Sequence, residues 1–378
     1  MKDLDELLRE LRESVEDAAY PAVDRWRAGG GKVVGHFQVY FPEEIAHAAG
    51  LLPVKIHGAP IEARNADARF GSYLCSIVKT SLELALARRL TLDLFVTQPI
   101  CDAARNLAAV WGRNVEYPCE ILYLPQNANS PHAATYLRHE YERLLGVVQE
   151  IAGRRVTDDD LHASIQVFNE NRRLLRELYT IKRTTPWRLP SDEAYLLTVA
   201  GAAMPREEHN ALLRTALRQI AARTTRPQDR LRVVFEGGFC EQPPLDLLRT
   251  IAQSCYVVDD DLLIGLRWLV DDVPNDGDPL ECLVEAYLEA SSYSAVQHDL
   301  RKPKGQMLLE RIKASGASAV ILASAKMCEP GLDEQVAYTK ALDAAHVPYF
   351  VSEFEENMTS FDHLQIQLET FVENVLFA

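Results

Sequence analysis

The hydrophobic positions of this 378-residue chain fall into three textures. In the first, short apolar runs alternate with stretches of helical period. Leu4, Leu7, Leu8, Leu11 and Val15 recur at helical spacing, which predicts one helix over 1–27, ended by Gly29, Gly30 and Gly31. Strands are predicted at 33–39, 51–57, 92–100 and 121–125, and helices from Glu43, over about 72–89, and from Asp102 onward. In the second texture, 131–226, no strand pattern occurs. Helices are predicted there around 133–152, 158–180, 191–203 and 205–223, with Thr157 and Asp160 as a capping box and Ser191 as an N-cap. From Leu231 the alternation returns, with strands in LRVVFEG, CYVVDD, ASAVILASA and VPYFVSE and a last helix over 360–378. Strands alternating with helices indicate parallel sheets covered on both faces. The expected fold class is therefore α/β, with two doubly wound, Rossmann-like domains at 1–130 and 227–378 and a helical lobe, 131–226, between them.

Charge narrows the partners. A formal net charge of −15 argues against nucleic acid, whose phosphates need a basic face. No apolar run approaches the ~18 residues of a membrane helix. The opening MKDLDELLRE is an acidic amphipathic helix rather than a signal peptide, so a cytoplasmic protein with no membrane partner is expected. Seven cysteines are an odd count, and cytoplasmic thiols stay reduced, which leaves metal binding or burial as their uses.

Three cysteines stand out by position. Cys101 directly follows LDLFVTQPI and precedes a helix; Cys328 closely follows ASAVILASA and precedes another. Ligands of open α/β sheets bind at such strand ends. A helix N-terminus also lowers a thiol's pKa and favours the metal-binding thiolate. Cys75 falls in the first turn of its predicted helix, SYLCSIVKTSLE, where the same argument is weaker. Three buried structural cysteines are the alternative, because spacing this wide is not specific. Cys119, Cys255 and Cys282 read as core. Cys240, after a strand and a Gly-Gly pair in FEGGFCEQPP, is a rival ligand or pocket residue.

Other motifs weigh less. GGGK at 29–32 lacks the Ser/Thr and the following helix of a phosphate loop, so ATP binding in this chain is not expected. Asp259, Asp260 and Asp261 are readable as a cation site but better as an acidic strand end. Arg172, Arg173, Arg176, Lys182 and Arg183, like Arg301, Lys302 and Lys304, are read as solvated surface, with a phosphate-bearing ligand or an acidic protein as the alternative partner.

Several stretches resemble one family. YFPEEIAHAAGLLPVKIHGA (40–59), CSIVKTSLE (75–83), CDAARNLAAVW (101–111) and KMCEPGLDEQ (326–335) are similar, in this order, to signatures of the 2-hydroxyacyl-CoA dehydratase and benzoyl-CoA reductase family. HLQIQLETFVENV (363–375) resembles its closing helix, with Gln367 where many members carry arginine. The resemblance spans nearly the whole chain and is weakest in the helical middle. Within the family, length and the block 233–268 look most like the smaller cluster-bearing component of ATP-dependent benzoyl-CoA reductases.

That resemblance implies a [4Fe–4S] cluster held by Cys75, Cys101 and Cys328, which leaves one iron without a protein thiolate. It implies a homologous second cluster-bearing subunit, separate ATP-hydrolysing subunits that deliver electrons, ferredoxin as donor, and benzoyl-CoA or a related acyl-CoA at the subunit interface. Ring reduction also needs an acid within hydrogen-bond reach. His36, Gln38, Tyr40 and Glu44 lie at or just past the first strand, and His36, Tyr40 and Glu44 are the candidates. The alternatives are a satisfied core histidine at 36, and Glu43 and Glu44 as helix-start residues. Ring reduction of benzoyl-CoA is thus the leading expectation, radical dehydration of a 2-hydroxyacyl-CoA the nearest rival, and a non-catalytic electron relay a third.

Overall fold

The computed structural model describes residues 3–37, 40–71, 73–238, 243–262, 269, 271–292, 297–355 and 358–377. It opens with two helices, α1 (Leu4–Glu16) and α2 (Pro21–Ala28), where periodicity alone predicts one. Ala18 takes a positive φ of 48° between them, and Pro21, which has no N–H to give the preceding turn, starts the second.

The first α/β unit follows: β1 (Val33–Phe37), α3 (Glu43–Ala48), β2 (Leu52–Ile56), α4 (Arg64–Asp67), α5 (Ser76–Leu86), β3 (Leu94–Thr97), α6 (Asp102–Gly112) and β4 (Cys119–Ile121). The helical stretch contains α7 (Ala133–Ala152), α8 (Asp158–Thr184), α9 (Ser191–Val199) and α10 (Arg206–Ala221). The Thr157–Asp160 capping box forms as the sequence predicts, and α8 runs one turn further than expected. The second unit comprises β5 (Leu231–Glu236), α11 (Leu245–Ser254), β6 (Cys255–Asp260), α12 (Pro279–Glu285), α13 (Lys304–Ser315), β7 (Ala319–Ala325), α14 (Glu329–Ala344), β8 (Tyr349–Phe354) and α15 (Asp362–Phe377).

Both sheets are parallel and four-stranded, with the same arrangement: β2-β1-β3-β4 in the first and β6-β5-β7-β8 in the second. The fold class is thus the expected α/β pair of Rossmann-like sheets. Every residue of β1, β2, β3 and β7 is buried, as parallel strands covered on both faces must be, and for that reason their apolar runs are nearly continuous. Of the four edge strands, β2 and β6 are buried, whereas β4 and β8 are only partly covered. Phe95 of β3 stacks on Trp111 of α6 at 3.9 Å, fixing that helix to its sheet. Leu4 and Leu8 of α1 join the core of the second sheet with Leu196, Leu217 and Phe235, so the start of the chain packs against its far half. Among the described residues no helix is long and apolar enough to cross a membrane.

Candidate functional site

Each of the three singled-out cysteines stands at the N-cap of a helix: Cys75 before α5, Cys101 before α6 and Cys328 before α14. Cys101 and Cys328 occupy equivalent places, after the third strand of sheets with the same order. In each sheet the chain crosses from one side of the first strand to the other at this point, which opens the crevice where α/β proteins bind ligands. Cys75 and Cys101 pack against the core of the first sheet, Cys328 belongs to the core of the second, and Ile100 packs against both.

The electrostatics are local. Cys101 Sγ accepts a hydrogen bond from the Ala104 N–H at 3.4 Å. Burial pushes its thiol above the ordinary 9.0, the backbone N–H groups of Ala104 and Ala103 pull it back, and Glu329 and Asp102 add to the rise. Glu329 directly follows Cys328, so the two cysteine turns lie within electrostatic reach of each other. Gly331 leaves space beside Cys328; a Cβ there would sit 3.4 Å from its Sγ. Among the described residues no three His, Cys, Asp or Glu side chains are gathered as ligands of a single ion. A cubane binds its thiolates through different irons, so its ligands ring a larger volume than those of one ion. The donor set fits such a group in kind: three thiols at helix starts, two half-buried and one buried, where cationic charge would hold buried sulfur as thiolate.

The other cysteines have quieter surroundings. Cys255 is buried at the start of β6, and Cys282 donates to the Asp276 carbonyl at 3.2 Å. Cys119 is half-buried and donates to the Tyr117 carbonyl at 3.7 Å. Cys240 and Gln38 lie outside the described residues.

The end of β1 carries the remaining candidates. His36 is buried, stacks on Phe41 at 4.6 Å, and its Nε2 is 3.0 Å from Glu43 Oε1. Tyr40 is buried with a φ of 69°, a left-handed backbone that a bulky residue rarely adopts. Its hydroxyl donates to the Ser292 carbonyl at 3.4 Å, and its ring meets Tyr287 edge-on. A second such residue, Met327 with φ 62°, directly precedes Cys328, so both sheets carry left-handed, non-glycine backbone at a strand end beside the candidate site.

Two arginines of the helical stretch complete this corner. Glu44 is fully buried against Arg172, whose other Nη donates to Asn169 Oδ1 at 2.8 Å. Glu43 pairs with Arg206, which also lies over the Phe168 ring. Burial opposes ionisation of Glu43, but Arg206 and then His36 bring its carboxyl down from 4.5 to about 2. The sequence carries no signal for these pairs, whose members lie 128 and 163 residues apart.

The charged motifs are consumed internally. Of the basic stretch read as solvated surface, Arg172 meets Glu44, Arg173 and Arg176 both reach Asp272 at 2.6 Å, Lys182 meets Asp260, and Arg183 reaches Asp259 at 2.9 Å. Asp260 also accepts from the Tyr179 hydroxyl at 2.5 Å. Asp261 accepts from the backbone N–H groups of Gly237 and Gly238 at 2.9 and 3.0 Å. Gly237 is irreplaceable there: its φ is 125°, and a Cβ would come 2.2 Å from the Ala323 carbonyl. Arg301 is likewise bound by Asp299 and Glu289, and Lys304 by Glu334.

The fold is thus a pair of like-ordered α/β units, each with a cysteine after its third strand. The chain belongs to the family described as 2-hydroxyglutaryl-CoA dehydratase, D-component, whose model matches residues 38–375. It is 36% identical to the C component of the benzoyl-CoA reductase of Thauera aromatica over 372 residues, 95% of either chain. It is 28% identical to the beta subunit of the lactoyl-CoA dehydratase of Anaerotignum propionicum, covering 99% of this chain and 100% of that one. Against the beta subunit of the (R)-2-hydroxyglutaryl-CoA dehydratase of Acidaminococcus fermentans the identity is 25%, over 93% and 94%.

Proposed function

We propose that the chain is the [4Fe–4S]-bearing subunit of an ATP-dependent, ferredoxin-driven benzoyl-CoA reductase, acting in a cytoplasmic complex of anaerobic aromatic degradation. Its partners in this reading are a homologous second cluster-bearing subunit and ATP-hydrolysing subunits that pass on electrons from ferredoxin. Cys75, Cys101 and Cys328 are the ligands. The observation that carries the reading is the placement of all three thiols at helix starts, two of them at the same point of two like-ordered sheets. The relative at 36% identity, a benzoyl-CoA reductase subunit, supports this choice of substrate.

When bound, such a cluster supplies single electrons of low potential. The chain's own part is to hold the thiolates, exclude water and furnish protons. Helix dipoles and the Ala104 N–H favour negative charge on Cys101 Sγ. Reduction of the ring to a cyclohexadienoyl thioester takes up two electrons and two protons. His36, through Nε2 shared with Glu43, and Tyr40, through its hydroxyl, are the proposed donors. Glu44, held by Arg172, serves as a positioning residue that ties the turn after β1 to α8.

The relatives at 28% and 25% identity, both dehydratase subunits, favour a second reading: loss of water from a 2-hydroxyacyl-CoA on the same ligands. The complex purified without oxygen separates the two. Dienoyl-CoA formed from benzoyl-CoA with stoichiometric ATP use is the expected result, and an enoyl-CoA formed only from a 2-hydroxyacyl-CoA would replace it. Cys75→Ala, Cys101→Ala and Cys328→Ala should each lose cluster iron and sulfide, with activity down at least ~100-fold. Cys119→Ala should keep both, and full iron content in any of the first three variants would remove that cysteine from the ligand set.

A further inference from the structure

The geometry points to the β8 end of the second sheet as the docking face for a protein subunit that presents a basic rim around an apolar centre. This rests on the chain acting as one subunit of a complex, as proposed above.

The two sheet edges differ. In the first sheet, α7 closes the edge strand β4: Arg143 pairs with Glu120 at 2.8 Å and donates to the Ile121 carbonyl at 2.6 Å. Just beyond, Glu140 accepts the Tyr123 N–H at 3.1 Å. In the second sheet, β8 pairs with β7 alone among the described residues, and its other edge faces outward. Helices α14 and α15 flank it on opposite faces. Tyr338 and Leu342 of α14 share a core with Tyr349, while Phe371 of α15 meets Phe350 at 5.8 Å.

The outer sides of these same elements carry exposed apolar residues among charged ones. Leu332 and Val336 on α14, Val351 on β8, and Ile366, Leu376 and Phe377 on α15 are exposed, with Phe377 at 87%. Scattered apolar residues need no explanation, but exposed apolar residues on an open edge strand and on both helices that flank it mark an interface.

Charge selects the occupant. From Glu329 to the last residue the sequence holds ten Asp and Glu against Lys340 alone, a formal −9 of the chain's −15. Asp333, Asp343, Glu353, Glu369 and Glu373 are exposed around the apolar positions. A second copy would meet this face with the same face, setting like charges against each other, so the fold disfavours self-pairing here. A lysine- and arginine-rimmed partner satisfies both the charge and the open edge. The face begins at Met327 and Cys328, so its occupant also covers one wall of the candidate site and keeps water from it.

The test uses the intact complex, isolated without oxygen and treated with a carbodiimide that joins carboxylates directly to lysines. Cross-links from the partner's lysines should concentrate on Asp333, Asp343, Glu353, Glu369 and Glu373. Val336→Asp with Ile366→Asp should weaken subunit association at least tenfold while leaving thermal unfolding of the chain unchanged. Tyr136→Asp, on the exposed face of α7, should leave association unchanged. Cross-links on these carboxylates only to a second copy of the chain, or unaltered association in the double variant, would overturn the proposal. Iron content, measured on the same samples, reports on the proposed function separately: a complex without iron that still docks through this face sinks that reading and leaves this one standing.

Discussion

Helix α8 runs past both α/β units and grips each through one buried ion pair, but the two grips differ. Toward the first sheet, Arg172 meets Glu44 just after the turn that carries Tyr40, and the second carboxylate oxygen of Glu44 has no hydrogen-bond partner among the described residues. Toward the second sheet, Lys182 meets Asp260 at the end of β6, and Asp260 also accepts from the Tyr179 hydroxyl and the Leu262 N–H. One contact holds the first turn of α3 through a single cation; the other is embedded in a strand end and shared among several donors. Equal topology therefore does not mean equal mechanical support, and the first unit is held at the very corner where the candidate proton donors lie.

Substitution at the two grips should expose that difference. Arg172→Met leaves a fully buried carboxylate without its cation and should cost about 3–5 kcal/mol of unfolding free energy in denaturant titration. Lys182→Met should cost less, toward about 3 kcal/mol, because two donors to Asp260 remain. An equal or larger loss at Lys182 would mean that these donors do not share the charge.

Acid should also weaken the same corner. Glu43 titrates at about 2 rather than 4.5, so its contribution is fully present above the ordinary value and is lost as pH falls from 4.5 toward 2. The shift corresponds to about 3 kcal/mol. Arg206→Ala should flatten this acid limb in a stability-against-pH series, and an unchanged limb would assign it to other carboxylates. Smaller still is the strain beside Cys328: Met327→Gly should raise stability by about 1 kcal/mol, since glycine adopts its φ of 62° freely and the side chain is half exposed. Smallest is the closed edge. Arg143→Ala should cost under ~1 kcal/mol, yet by uncovering β4 it should raise the apparent mass in sedimentation at high concentration, making the first sheet's edge resemble the second's.

Much of the framework is legible in the sequence. The apolar runs over 231–236 and 319–325 read as buried parallel strands because both faces of such strands are covered. The helix over 133–152 carries a clear period. The helix expected from Ser191 forms, but Pro190 rather than Ser191 takes the N-cap position and no side chain caps it, because nearly every residue of Ser191–Val199 is buried and its place is set by packing. The break between α1 and α2 escapes the pattern, because Leu4 to Val15 set a period that a local left-handed residue at Ala18 interrupts without changing the hydrophobic positions. The strand expected at 121–125 lies earlier, at Cys119–Ile121, since this partly covered strand is placed by its pairing with β3 and not by the apolar run that follows it. Of the basic stretch 172–183, Arg173 and Arg183 are exposed as the sequence reads, but Arg172 and Lys182 are buried, for a plainer reason: charge in a sequence does not say whether a partner charge lies across the fold.

The sequence by itself determined the alternation of strands and helices, the positions of Cys101 and Cys328 at strand ends, and the acidic character of the last fifty residues. These follow from periodicity and composition, which are local. Only the tertiary structure decided that the two sheets share one strand order, which makes those two cysteines equivalent. It alone paired Glu43 and Glu44 with arginines more than a hundred residues away, and left β8 open where β4 is closed. Such features depend on long-range packing, where burial turns a distant opposite charge or a vacant strand edge into a strong constraint that no short stretch of sequence records.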